Sequence, residues 1–186
     1  MMNRHWGEKK LQSNKSAQNV SPEKHISVQD NKIYYYSNVN RDSSSELNKK
    51  IGEIESKSLT LHNSLDLEVP PTLRIYINSG GGSVVSGIAS MDTILRTKVP
   101  VHTYVDGFAA SAATLLSIAG DKRFITQSSL MLIHQLSSAN SGKYNQLEDE
   151  MENLDNIMNI VINLYLNNSV INKNKKLEIL KKDLWL

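Results

Sequence analysis

No cysteine occurs among the 186 residues. Disulfide frameworks, thiolate zinc centres and cysteine nucleophiles are thereby excluded together. Proline (4), phenylalanine (2) and tryptophan (2) are all scarce. Neither sign of charge dominates, since 21 Lys and Arg face 19 Asp and Glu for a net +2. Such a balance lacks the one-signed footprint of a nucleic-acid binder, and no nucleic-acid partner is expected. Long hydrophobic runs are missing too. The least polar stretch, Phe108 to Gly120, is interrupted by Ser111, Thr114 and Ser117 and falls well short of the ~20 residues that span a bilayer. The opening MMNRHWGEKK has charge but no apolar stretch behind it, unlike a secretory signal. These absences describe a soluble, cytoplasmic chain with no membrane partner.

What is present has the length of one domain. Residues 1–31 are polar and without apolar period, which predicts a flexible N-terminal arm, and the folded domain is expected over 32–186. Ile33 to Tyr36 is β-prone. Asp42 to Glu46 offers N-caps for a short helix carrying Leu47, Ile51 and Ile54, and residues 56–71 read as a polar loop closed by Pro70-Pro71. From Thr72 onward strands and helices alternate. Leu73 to Ile77 and Val99 to Val105 are strand-like, and Val84, Ile88, Met91 and Ile94 mark a helix face. A small-residue helix is expected near Ala110–Ala119, with further strands at Lys122–Ile125 and Leu130–Ile133. That order predicts an α/β domain with largely parallel pairing. Tyr144, Leu147, Met151, Leu154, Met158, Val161 and Tyr165 then step by three or four, giving one long helix over about 143–167. Its second half is apolar on more than one face, which predicts a subunit contact there.

Three stretches carry chemistry. Ile77-Asn78-Ser79-Gly80-Gly81-Gly82-Ser83 is a glycine turn between strand and helix, suited to close backbone approach and to anion stabilisation, though it is neither phosphate-loop motif. Gly107-Phe108-Ala109-Ala110-Ser111-Ala112-Ala113 sets a serine at the start of a helix, just after a strand. Leu130-Met131-Leu132-Ile133-His134-Gln135 ends a buried strand on an imidazole, where α/β folds place working residues. A hydroxyl nucleophile needs a base, the base needs an orienting carboxylate, and the oxyanion needs fixed N–H donors. Ser111, His134 and the turn supply three of these parts. The residues themselves leave the carboxylate open among Asp106, the acidic start of the long helix, and Asp183.

INSGGGSVVSG, GFAASAATLLSIAG and KRFITQSSLMLIHQ, in that order, resemble the proteolytic subunit of the caseinolytic (Clp) protease from about Lys32 to the end. The resemblance implies a crotonase-like α/β spiral of repeated β-β-α units with a protruding handle helix. It implies a serine endopeptidase with Ser111 as nucleophile and His134 as general base. Lys181-Lys182-Asp183-Leu184-Trp185 matches the segment bearing the family's aspartate, so Asp183 would be the orienting acid. The oxyanion hole would be the backbone N–H groups of Gly81 and Ala112. Also implied are two stacked heptameric rings enclosing a chamber, an AAA+ unfoldase that binds ATP itself, unfolded proteins as substrates, and no cofactor or metal. Gly80 stands where the family has Pro, and Ala112 where Met is common. Residues 1–31 do not look like the family's axial-loop segment. The chain ends three residues after Asp183, and a truncated C-terminal end is the expectation. Two alternatives are a non-catalytic ring subunit and a crotonase-type acyl-CoA enzyme.

Overall fold

Alternation of apolar and polar residues builds the sheet. In β3 (Leu73–Ser79) Leu73, Ile75 and Ile77 are fully buried while Arg74 and Tyr76 turn to the other face. In β4 (Val101–Ala110) Val101, Thr103 and Val105 repeat the pattern, as a half-covered sheet requires. A computed structural model describes residues 25–170 and 184–185. The remaining elements are β1 (Ile26–Gln29), β2 (Lys32–Tyr35), α1 (Arg41–Leu65), α2 (Val84–Arg96), α3 (Ala112–Ile118), β5 (Lys122–Ile125), β6 (Leu130–Ile133), α4 (Tyr144–Asn168) and β7 (Leu184–Trp185).

The sheet runs β1-β2-β3-β4-β6-β7, with β5 also paired to β4. Pairing is parallel from β2 through β6 and antiparallel at both ends. Long β4 holds two partners in succession: His102–Val105 pairs with β5, and Phe108–Ala110 pairs with β6. This branching delivers the end of β6 beside the end of β4. Leu47, Ile51 and Ile54 of α1, Met91 and Ile94 of α2, and all of α3 pack into one core against the inner face. The outer face carries a row of rings, Tyr34, Tyr76, Tyr104 and Phe124, stacked with centroids 5.0, 4.6 and 4.7 Å apart.

Several expectations need correction. Ile26–Gln29, read as part of the arm, is β1, with Ile26 buried; four residues are too few for alternation to stand out. The helix opening on Arg41 is capped by Asn40, whose side chain accepts from the Ser43 N–H at 2.9 Å while Ser43 Oγ accepts from the Asn40 N–H at 3.0 Å. This reciprocal box lies ahead of the serine run that offered the more obvious caps. Helix α1 also continues to Leu65 through the stretch read as a loop, because an exposed helical face needs few apolar residues. Strand β4 runs past the expected end at Val105, through Asp106-Gly107 to Ala110.

The long helix is present at Tyr144–Asn168, yet its apolar second half is largely covered from within the chain, with Met158, Val161, Ile162 and Tyr165 buried. The uncovered apolar residues lie mostly earlier, at Tyr144, Leu147 and Met151. Tyr165 hydrogen-bonds the Thr114 hydroxyl of α3, and burial pushes its phenol up to about 12. An unfolded tyrosine ionises near 10, so above that value the unfolded chain binds fewer protons than the folded one. The stability of the neutral buried phenol is therefore intact below about pH 10 and is lost as pH rises toward 12, by up to ~1.4 kcal/mol per unit. Tyr165→Phe is expected to shrink this alkaline slope in urea denaturation. An unchanged slope contradicts the assignment.

Candidate active site

The glycine turn is pinned against the segment before α1. Val39 donates to the Gly81 carbonyl at 2.8 Å, and Ser83 donates to the Val39 carbonyl at 2.7 Å. Gly81 and Gly82 have φ of +87° and +142°, which side-chain-bearing residues rarely adopt. A Cβ on Gly81 would stand 2.4 Å from the Ala110 carbonyl oxygen and 2.6 Å from Ser111 Cβ. The turn thus lies directly on the backbone of the serine segment. A Cβ on Gly80 would meet only Asn38 Oδ1, at an ordinary 3.9 Å, so no such requirement applies there. The Gly81 N–H donates to the buried Ser79 hydroxyl at 3.1 Å.

Ser111 occupies the junction between β4 and α3 with φ 53° and ψ −128°, a costly conformation for a residue other than glycine. Three bonds hold it. Its N–H donates to the Leu132 carbonyl at 2.8 Å, and its carbonyl accepts from the Thr114 N–H at 3.0 Å and from Thr114 Oγ1 at 2.5 Å. Its hydroxyl caps nothing in α3. Ala112 opens that helix, so its N–H lacks an intrahelical partner. The Cβ position on Gly81 is 3.1 Å from that nitrogen, which brings Gly81 up against the Ala112 amide.

His134 follows β6, whose pairing of Leu132 with Ala110 brings the two strand ends together. Ser111, Ala112, His134, Gly82, Leu115 and Tyr165 are among the residues lining one cavity of about 200 Å³. His134 Nδ1 lies 2.6 Å from the Gln135 carbonyl oxygen. A carbonyl can only accept, so Nδ1 carries the proton and Nε2 keeps its lone pair in the neutral ring. No hydrogen bond joins Ser111 to His134 among the described residues; such contacts commonly tighten only when substrate arrives.

Of the candidate carboxylates, Asp106 points to the opposite face, where it bonds the Tyr36 hydroxyl. Burial and that bond push the Tyr36 phenol up to about 12. Glu148 of α4 is engaged by Tyr144 at 2.7 Å, and no acidic residue of α4 lines the cavity. Asp183 lies outside the described residues. Sequence reasoning missed Val39, Ser79, Thr114 and Tyr165. Ser79, inside the glycine-turn motif, and Thr114, inside the serine motif, lay within the local signals. Among the described residues no group of His, Cys, Asp or Glu is arranged to hold a metal ion, and no helix is long and apolar enough to cross a membrane.

A strained serine at a strand–helix junction, an imidazole in its cavity and a glycine turn presenting amides are the parts of a serine-hydrolase site. A sequence model of the family described as Clp protease matches residues 27–186. The chain belongs to the Clp protease family, and its class is that of a serine-type peptidase. The ATP-dependent Clp protease proteolytic subunit 2 of Treponema denticola is 32% identical over 143 residues, covering 76% of this chain and 70% of the relative. The corresponding subunit 2 of Treponema pallidum is 30% identical over 145 residues, 77% and 72% of the two chains. The ATP-dependent Clp protease proteolytic subunit of Deinococcus radiodurans is 30% identical over 116 residues, 61% of this chain and 57% of the relative. Among solved structures, a mutant ClpP1 of Listeria monocytogenes superposes with a TM-score of 0.69 at 21% identity over 84% of this chain and 82% of that one. The expected fold class is therefore the observed one, and the acyl-CoA alternative falls away.

Proposed function

We propose that this chain cleaves peptide bonds of unfolded proteins with Ser111 as nucleophile and His134 as general base. The observation that carries the reading is the shared cavity, in which the Nδ1–H of His134 is already committed to a carbonyl and Nε2 is left basic. Ser111 Oγ attacks the substrate carbonyl while His134 Nε2 takes its proton and then passes it to the leaving amine. A water molecule hydrolyses the acyl-enzyme by the same route. The developing oxyanion is received by the amides of Gly81 and Ala112, the former exchanging its bond to Ser79 for one to the substrate oxygen. Asp183 is proposed as the orienting acid, which takes over the Nδ1–H from the Gln135 carbonyl in the active arrangement. In support, β7 pairs Leu184 with Ile133 in antiparallel register, and His134 is the residue that follows Ile133.

The same reading makes the functional enzyme a cytoplasmic assembly of stacked heptameric rings, served by an AAA+ unfoldase that binds ATP itself. Tyr144, Leu147 and Met151, exposed on α4, are suited to a subunit contact. The test is hydrolysis of a fluorogenic peptide by the purified chain, and of a folded protein when an ATP-driven unfoldase is added, with sedimentation velocity alongside. Turnover by ring-sized particles is expected. Rings that never turn over peptide would identify the non-catalytic subunit instead.

Gly81→Ala probes the oxyanion amides. The added methyl collides with the Ala110 carbonyl and with Ser111, so the turn must move and the Gly81 amide with it. Loss of one such donor lowers kcat by about 10²–10³. Wild-type kcat in the folded variant removes Gly81 from the mechanism.

A further inference from the structure

Ser111 and Ala112 share one peptide group, so whatever fixes the Ser111 carbonyl also aims the Ala112 N–H. In this planar trans peptide the two bonds point in opposite directions. The Ser111 oxygen accepts from the Thr114 N–H at 3.0 Å and from Thr114 Oγ1 at 2.5 Å. Threonine in a helix commonly bonds a carbonyl three or four positions back. Two features set this bond apart. Thr114 is fully buried, so its hydroxyl has no bulk water to turn to. A second buried hydroxyl, that of Tyr165 on α4, is also bonded to Thr114 Oγ1. A threonine hydroxyl has one proton. The carbonyl can only accept, so that proton goes to Ser111 and Tyr165 donates to Thr114. The order is Tyr165 O–H to Thr114 O–H to the Ser111 oxygen, a chain in which each link polarises and strengthens the next.

The carbonyl at the end of this chain needs holding. Ser111 has φ 53° and ψ −128°, outside the regions open to residues with side chains. Half a turn of the Ser111–Ala112 peptide would bring ψ to about +50°, inside the left-handed region that such residues do occupy. That turn would take the oxygen away from Thr114 and swing the Ala112 N–H to the opposite side. We propose that the Thr114 and Tyr165 hydroxyls are positioning groups for the reaction, holding this peptide in its strained orientation so that the Ala112 N–H faces the developing oxyanion. The proposal rests on the Ser111 peptidase reading and extends it to two side chains that act through the nucleophile's main chain. Apart from Ser117, Thr114 is the polar exception in an otherwise apolar α3. Burying two hydroxyls there carries a desolvation cost, which the bonds they make offset. The ring of Tyr165 also lines the cavity, so a test of its hydroxyl must leave the ring in place.

The test joins kinetics on a fluorogenic peptide to crystal structures of the wild type and the variants. Thr114→Val keeps the shape and drops the hydroxyl. It should lower kcat by about 10- to 100-fold with KM little changed, because the oxyanion exists only in the transition state. Tyr165→Phe removes one link further back and should cost about three- to tenfold, which keeps the test open if the valine variant does not fold. Thr114→Ser retains the hydroxyl and should restore kcat. The double variant Thr114→Val with Tyr165→Phe separates positioning from structure. Valine alone orphans the buried Tyr165 hydroxyl and lowers the melting temperature, whereas removing both hydroxyls recovers stability. It should not recover kcat, and it should be no slower than Thr114→Val. In the crystal of Thr114→Val the Ser111–Ala112 peptide should be turned over. Wild-type kcat in either single variant, kcat that recovers along with stability, or an unmoved peptide overturns the proposal. A wild-type protein that hydrolyses nothing contradicts the peptidase reading instead, and the orientation of the peptide in the two crystals then decides whether Thr114 holds it.

Discussion

Ser111→Ala lowers peptide hydrolysis by about 10⁶-fold, as expected where one member of a cooperating nucleophile–base unit is removed. The size of the effect follows from the junction's construction. The backbone at Ser111 is held at φ 53° by bonds from Leu132 and Thr114, all made through main-chain atoms of the serine itself. An alanine keeps every one of them and loses only the hydroxyl. Assembly and melting temperature should therefore match wild type. A serine with a merely structural role would show the reverse, with activity retained and stability lowered.

His134→Ala carries a loss of similar size. Among the described residues its ring makes one hydrogen bond, to the Gln135 carbonyl, and it sits half-buried just after β6, so truncation leaves no deep cavity in the core. The neighbouring Ile133 is the residue that anchors the strand, at 1% exposure. Because Ser111 and His134 act as a unit, the double variant should be no slower than either single one. Additive losses, or dissolution of the oligomer in His134→Ala, assign the imidazole to structure.

Both of these residues were legible in the sequence because each sits in a short local motif at the end of a strand, alternating before Ser111 and uniformly apolar before His134. The same holds for Gly81, where positive φ explains the choice of glycine. Features that depend on distant pairings were not legible. Thr114 and Tyr165 are 51 positions apart, and neither belongs to a pattern that names the other. Val39 enters the site only because the chain before α1 bridges to Gly82. The reach of α1 to Leu65 was hidden by its polarity, since periodicity reports burial and this part of the helix buries little beyond Ser58.

Reaction of the intact protein with a fluorophosphonate, followed by mass spectrometry of the adduct over time, addresses the pairing of hydroxyl and imidazole directly. One adduct per chain is expected, located on the peptide that contains Ser111, absent in Ser111→Ala and formed far more slowly in His134→Ala. An adduct on another residue, or undiminished labelling of Ser111 once the imidazole is gone, contradicts the mechanism.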